Sequence, residues 1–231
     1  MSQQDYTTLA KNVIGVEFKD IATLVVAFTH RSYLNEHKKS ATEHNERLEF
    51  LGDAVLELVV TDHLFRKHNE PEGILTNWRS ALVRTESISA AAEKLGFDEY
   101  LRLSRGEKQG GERAREQILA NTFESVIGAI YIDQGYDAAA KFIEANILST
   151  LDNILKTGSW RDAKSHFQEI AQAKLSHTPA YKVLSEEGPD HDKIFEIGVY
   201  LGGELYGTGK GPSKQHAQQE AAQQGLNRLA V

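Results

Sequence analysis

The chain has 231 residues and a hydrophobic fraction of 40%, enough for one sizeable domain and a small one. No apolar run nears the ~20 residues that span a bilayer, and Met1-Ser2-Gln3-Gln4-Asp5-Tyr6 lacks a signal peptide's basic-then-apolar layout, so a cytoplasmic protein with no membrane partner is expected. The lack of cysteine excludes disulfides, thiolate catalysis and sulfur-ligated zinc. Net charge is −7 and neither residues 1–161 nor 162–231 are basic on balance, so any nucleic-acid binding must rest on local patches and backbone donors.

Residues 1–157 read as helix after helix, with apolar periodicity near 3.6 through Ile21–Phe28, Leu48–Phe65, Ile74–Leu95, Ile118–Tyr131 and Ala138–Leu155. His68-Asn69-Glu70-Pro71 closes one helix and the next starts at about Glu72; Gly96, Gly135 and Gly158 stand where C-terminal caps are expected. Within this half, Asn45-Glu46-Arg47-Leu48-Glu49-Phe50-Leu51-Gly52-Asp53-Ala54-Val55-Leu56 sets three carboxylates into an apolar stretch. Glu46, Glu49 and Asp53 stand at i, i+3 and i+7 and share one helical face, within about a 60° arc. A solvated acidic face usually interleaves Lys or Arg one turn on; this one shows acids alone among large aliphatics. Such a cluster calls for a cation, and hard oxygen donors suit magnesium or manganese. Gly52 costs about 1 kcal/mol relative to Ala inside a helix, which points to a close backbone approach there.

Ser104–Arg113 forms one long polar, Gly-rich loop, and loops of that kind often carry function. In the helix that follows, Asn121 and Glu124 at i, i+3 share a face and read as the opposite wall of the same site. Glu49, Asp53, Asn121 and Glu124 then offer three carboxylates and an amide oxygen to one cation, as bundles do from facing helices. Glu72, at the start of a third helix, and Glu46 are placed to hold a second cation or its waters. Hydrolysing a phosphodiester builds negative charge on the attacking and leaving oxygens, which a divalent ion offsets. Glu124 and Glu49 are assigned to the metal, and Asp53 to orienting or deprotonating the attacking water.

A short linker, 158–161, separates this half from a different pattern. Residues 163–176 make an amphipathic helix with Phe167, Ile170, Ala171 and Leu175 inward. Strands follow at about 180–186, 194–201 and 204–209, and a helix from Ser213 to about Leu229 closes the unit. The expected fold is therefore an all-α domain (1–157) followed by a small α+β domain, α-β-β-β-α (162–231). The first helix sets Ser165, Gln168, Glu169 and Gln172 opposite its core side, neutral groups suited to the shallow minor groove of A-form RNA. In Gly209-Lys210-Gly211-Pro212-Ser213-Lys214, Ser213 caps a helix start and Lys214, with Lys210, completes an anion site for phosphate. Gln215 stands where a second adjacent base would add charge, so modest RNA affinity with a shallow salt dependence is expected.

The Asn45–Leu56 run, the Gly106-Glu107…Gly110-Gly111 loop, Ile118-Leu119-Ala120 and Glu124–Tyr131 resemble bacterial ribonuclease III, and Asp162–Leu229 resembles a double-stranded RNA-binding domain. The resemblance implies a magnesium-dependent homodimer (manganese substituting) that cuts double-stranded RNA, leaves short 3′ overhangs and processes ribosomal RNA precursors and other structured RNAs. By matching position it implies Glu49, Asp53, Asn121 and Glu124 as primary metal and catalytic residues and Glu46 and Glu72 as auxiliary acids. It also implies Phe50 at the dimer interface, and Gln168, Gln172 and His191 in the minor groove. The family usually has Asp where this chain has Asn121; weakened metal binding is expected, the alternative being a catalytically impaired double-stranded RNA-binding protein. A ferritin-type di-metal oxidoreductase lacks its Glu-x-x-His pairs here. His30, His44 and His63 read as surface or capping residues.

Overall fold

A computed structural model describes residues 3–37, 43–158, 160, 162–189 and 193–229. The chain divides into two compact units, Met1–Trp160 and Arg161–Val231. The first is helical, in chain order α1 (Gln3–Leu9), α2 (Ile21–Ala27), α3 (Arg31–Glu36), α4 (Glu46–Lys67), α5 (Glu72–Val83), α6 (Thr85–Lys94), α7 (Glu112–Gln134), α8 (Tyr136–Asn146) and α9 (Leu151–Thr157). The second is α10 (Ala163–Leu175), β1 (Ala180–Glu187), β2 (Ile194–Leu201), β3 (Glu204–Gly211) and α11 (Lys214–Leu229). An all-helical unit followed by α-β-β-β-α is the expected fold class. Of the expected linker 158–161, residues 159 and 161 lie outside the described residues.

Long apolar helices at the centre organise the first unit. α4 carries Glu46 and Glu49 in its first turn and Arg66 and Lys67 in its last, complementing the helix dipole at both ends. Its Leu48, Val55, Leu56, Val59, Val60 and Leu64 are buried in one core with Leu119, Phe123, Val126, Ile127 and Ile130 of α7, the helix α4 packs on most. Two glycines set how close the pair comes. A methyl on Gly52 would overlap the Glu124 carbonyl oxygen, and one on Gly128 would overlap the Leu48 carbonyl oxygen. The backbone approach that Gly52 signalled in the sequence is thus made by α7. At the start of α4, buried Asn45 accepts through its carbonyl from Ser125 Oγ (3.3 Å) and donates its backbone N–H to Thr29 (2.9 Å).

Two apolar stretches that periodicity joins are broken in the structure. Ile74–Leu95 forms α5 and α6, because Arg84 is extended (φ −69°, ψ 153°) and Ser87 Oγ donates to the Ala81 carbonyl across the corner (2.8 Å). Ala138–Leu155 is interrupted by a single 3₁₀ turn, Leu148–Thr150. In both, inward residues continue past the break, so the apolar pattern does not register it. Gly96, Gly135 and Gly158 all adopt positive φ at helix ends, as caps require.

In the second unit β1-β2-β3 form an antiparallel sheet. The β2–β3 turn is Gly202-Gly203, both with positive φ, which a two-residue hairpin loop demands. A bulge at Leu184 shifts the β1–β2 register so that Ser185 faces Glu196 and Glu186 faces Phe195. α10 and α11 cover one sheet face around Phe167, Ala171, Val199, Leu201, Ala221 and Leu226. Gly207 and Gly209 let the α11 backbone lie directly on β3, since a methyl at either would meet backbone atoms of Ala217 or Ala221. Leu175, expected inward, is exposed: α10 ends there, with Ser176 left-handed (φ 57°).

Candidate functional site

The α4–α7 contact carries the acids. Glu49 and Asp53 flank Gly52 on α4, and the Glu124 backbone is the atom group against which Gly52 packs. Glu49 and Glu124 are half-buried, whereas Asp53 and Glu46 are exposed. Burial chiefly, and then the charges of Asp53 and Glu49, push the Glu124 carboxyl up to about 8. Glu49 is raised by burial and by Glu46 and Asp53. The coupling joins Glu49, Asp53 and Glu124 into one electrostatic site. Each carboxylate there raises the free energy of its neighbours' ionised forms.

Asn121 occupies the face of α7 one turn before Glu124. Its Oδ1 accepts from Gln117 Nε2 at 2.7 Å, an i, i+4 amide pair that sequence reasoning passed over although its spacing is legible. The amide oxygen therefore has one lone-pair direction already engaged. Glu46 is paired with Arg31 (3.4 Å) and His44 (3.8 Å). Glu72 accepts from Thr76 Oγ1 on its own helix (3.0 Å); the charges that raise Glu49 are Glu46 and Asp53, and those that raise Glu124 are Asp53 and Glu49. His30 caps α3, its Nδ1 accepting from Ser32 N (3.3 Å).

Among the described residues, no three His, Asp or Glu side chains stand in a metal-holding group. The convergence of Glu49, Asp53, Asn121 and Glu124 on one cation expected from the sequence is not formed as a ligand group here; what links the acids is the mutual effect of their charges across the helix pair. Donor chemistry nevertheless fits a hard divalent ion: α4 and α7 bring carboxylate and amide oxygens to this contact, and a cation would offset the repulsion among Glu49, Asp53 and Glu124.

In the second unit, Ser165, Gln168, Glu169 and Gln172 are all exposed on α10, and Gln172 Oε1 accepts from Thr178 Oγ1 (3.4 Å). Ser213 Oγ accepts from the His216 backbone N–H (3.2 Å), the cap expected at the start of α11. The two clamp cations are not free: Lys214 Nζ is 2.9 Å from Glu186 and Lys210 Nζ is 3.4 Å from Glu196. The sequence pattern does not show these pairs, because strand register brings Glu196 to Lys210 and tertiary packing brings Glu186 to the start of α11. His191, expected in the minor groove, lies outside the described residues.

Comparison with known proteins gives this arrangement a context. A family model described as Ribonuclease-III-like matches residues 20–151, and one described as Double-stranded RNA binding motif matches residues 163–229. A protein named Ribonuclease 3 from Enterococcus faecalis is 44% identical over 227 residues, covering 96% of this chain and 97% of its own length. The chain belongs to the ribonuclease III family. Proteins of the same name from Listeria monocytogenes (43% identity, 94% of each chain) and Protochlamydia amoebophila (44%, 94% of this chain and 90% of its own) extend the likeness. Among solved structures, the nuclease domain of ribonuclease III from Campylobacter jejuni covers 62% of this chain and 99% of its own length, at 37% identity and a TM-score of 0.54. A ribonuclease III nuclease domain joined to a double-stranded RNA-binding motif is a double-stranded RNA endoribonuclease, a hydrolase of phosphodiester bonds. Among the described residues no helix is long and apolar enough to cross a membrane.

Proposed function

We propose that this ribonuclease III family member is a magnesium-dependent cytoplasmic homodimer, with manganese able to substitute. It cuts double-stranded RNA to leave short 3′ overhangs and processes ribosomal RNA precursors and other structured RNAs. The observation that carries the reading is the joining of a Ribonuclease-III-like domain to a double-stranded RNA binding motif, with Glu124 packed at the α4–α7 contact that also carries Glu49 and Asp53; burial and those charges push its carboxyl up to about 8, so its ionised form needs a cation beside it. Glu49, Asp53, Asn121 and Glu124 would hold that ion, with Glu46 and Glu72 as auxiliary acids. A divalent cation supplies Lewis-acid chemistry here, offsetting charge on the attacking and leaving oxygens and acidifying water.

The chain's own residues do the rest. Glu49 and Glu124, half-buried on facing helices, offer their carboxyl oxygens to the ion, Glu124 giving up its proton as the cation binds. Asp53, exposed at the mouth, orients the attacking water and accepts its proton. Gln117 fixes the rotamer of Asn121 through the 2.7 Å bond. Gln168 and Gln172 offer hydrogen bonds to the 2′-hydroxyls of an A-form minor groove, while Ser213, Lys210 and Lys214 meet phosphate at the start of α11.

A second copy of the chain is the partner that α4 fits. Phe50, Leu58 and Phe65 are 81%, 57% and 76% exposed, and their spacing of eight and seven residues sets them in one stripe along the helix. Exposed apolar rows of this kind mark interaction sites, and the Campylobacter nuclease domain is described as structurally flexible in a region involved in dimer formation. The test of the whole reading is cleavage of long duplex RNA by the purified chain. Magnesium-dependent cuts that disappear in Glu124→Gln support it; a parent protein that binds duplex RNA but cuts nothing at any divalent concentration would instead establish a catalytically impaired binding protein.

A further inference from the structure

The cations beside the start of α11 are held by acids from the sheet. Lys214 Nζ lies 2.9 Å from Glu186 Oε1 and 5.4 Å from the centroid of the Phe195 ring, and Phe195 is the cross-strand partner of Glu186. Lys210 Nζ lies 3.4 Å from Glu196 Oε2, directly across the β2–β3 ladder. The same Glu196 oxygen accepts from Ser185 Oγ on the opposite side (3.2 Å), so its carboxylate is anchored in the middle of the sheet. Lys193 also approaches Glu186, at 3.9 Å. The Leu184 bulge sets the β1 side of this arrangement, bringing Ser185 opposite Glu196 and Glu186 opposite Phe195.

We propose that Glu186 and Glu196 set the RNA affinity of this unit by holding Lys214 and Lys210 in ion pairs that an RNA phosphate has to displace. The inference rests on the reading of those two lysines as phosphate contacts. A free lysine gains a phosphate and releases condensed counterions from the RNA. A lysine already paired exchanges one anion for another and leaves a carboxylate without that lysine next to a polyanion. Both consequences weaken binding and flatten its salt dependence. Exposed ion pairs are individually weak, which places the effect at about two- to fivefold in Kd per pair. The acids act through the lysines, so they are positioning residues for RNA binding rather than RNA contacts.

The experiment measures binding of the full-length chain, in EDTA, to a labelled RNA duplex longer than the about 16 base pairs that one such domain spans, across a salt series. Glu186→Gln and Glu196→Gln are each expected to bind about two- to fivefold tighter than the parent with a steeper salt slope. The Glu186→Gln gain is expected to vanish in a Lys214→Ala background, and the Glu196→Gln gain in Lys210→Ala. Glu204→Gln, which removes the same charge and breaks the Glu204–Arg228 pair at the far turn of the sheet, is the control and is expected to leave binding near the parent's. A gain from Glu204→Gln equal to the others, a gain that survives without its lysine, or no gain while Lys214→Ala weakens binding would overturn the inference alone. Parent-like binding by both lysine variants would overturn the phosphate-contact reading beneath it as well.

Discussion

Glu124 is where burial and charge act most strongly on one side chain, and its titration makes a stability prediction. Its carboxyl has an ordinary value of 4.5 and is pushed up to about 8 in the fold, so the folded protein keeps a proton that the unfolded chain has already released. Its contribution is complete below the unfolded value and is lost as pH rises toward about 8. The metal-free protein should therefore lose stability across that window, by at most about 1.4 kcal/mol per pH unit and in total on the order of 2 kcal/mol by pH 7 after solvent screening. Glu124→Gln should remove this slope, making the inactive variant more stable than the parent at pH 8. Denaturant unfolding in EDTA at pH 5 and pH 8 checks it, and parallel behaviour of the two proteins would refute it.

Asn121 belongs to the same scale. Its amide brings an oxygen but no charge, and that oxygen already accepts from Gln117. Asn121→Asp is expected to lower the magnesium concentration for half-maximal cleavage by about three- to tenfold, the gain of one charged ligand partly offset by stronger carboxylate repulsion. An unchanged magnesium titration would contradict the assignment. The facing of Glu46, Glu49 and Asp53 was legible from spacing alone, as was the matching of Asn121 with Glu124. The Gln117 bond was equally legible from its i, i+4 spacing, but a neutral amide pair stands out less than a cluster of charges. How far each carboxyl is buried was not legible, since that depends on which helix lies opposite.

At the scale of elements, the α4–α7 crossing is what assembles the site. Ala is ordinarily better than Gly in a helix by about 1 kcal/mol, yet Gly52→Ala should destabilise by about 3 kcal/mol or more, because its methyl has backbone, not a flexible side chain, in its way. The expected result is a lower urea midpoint together with lost cleavage; a stabilised, active Gly52→Ala would show that the helices have room to part. The sequence signalled one half of this contact through the helical penalty at Gly52, while Gly128 drew no notice in a run that is otherwise small and apolar. Strand and helix boundaries in the second unit were readable because turn residues punctuate them. The break at Arg84 was not, since Trp78, Ala81 and Leu82 before it and Ile88, Ala91 and Ala92 after it are all buried, and periodicity runs through. The Leu184 bulge was hidden for a related reason: register is a property of two strands, and the ion pair of Glu196 with Lys210 follows from it.

For the whole molecule, the stripe of Phe50, Leu58 and Phe65 makes a statement about assembly. An exposed apolar row on the central helix is expected to be covered by a second copy, so Leu58→Glu should shift the chain from dimer to monomer in sedimentation and reduce double-strand cleavage while leaving the second unit's RNA binding in place. A dimer unaffected by that charge would mean another surface pairs the copies. The central claim is that one anionic cluster across α4 and α7 hydrolyses double-stranded RNA with a divalent cation. Its most direct test compares parent and Glu124→Gln on the same long RNA duplex over a magnesium titration, with binding followed in parallel. The account predicts magnesium-dependent cleavage by the parent, and intact RNA binding with cleavage lowered at least a thousandfold in order of magnitude in the variant. Equal cleavage by the two proteins would contradict it.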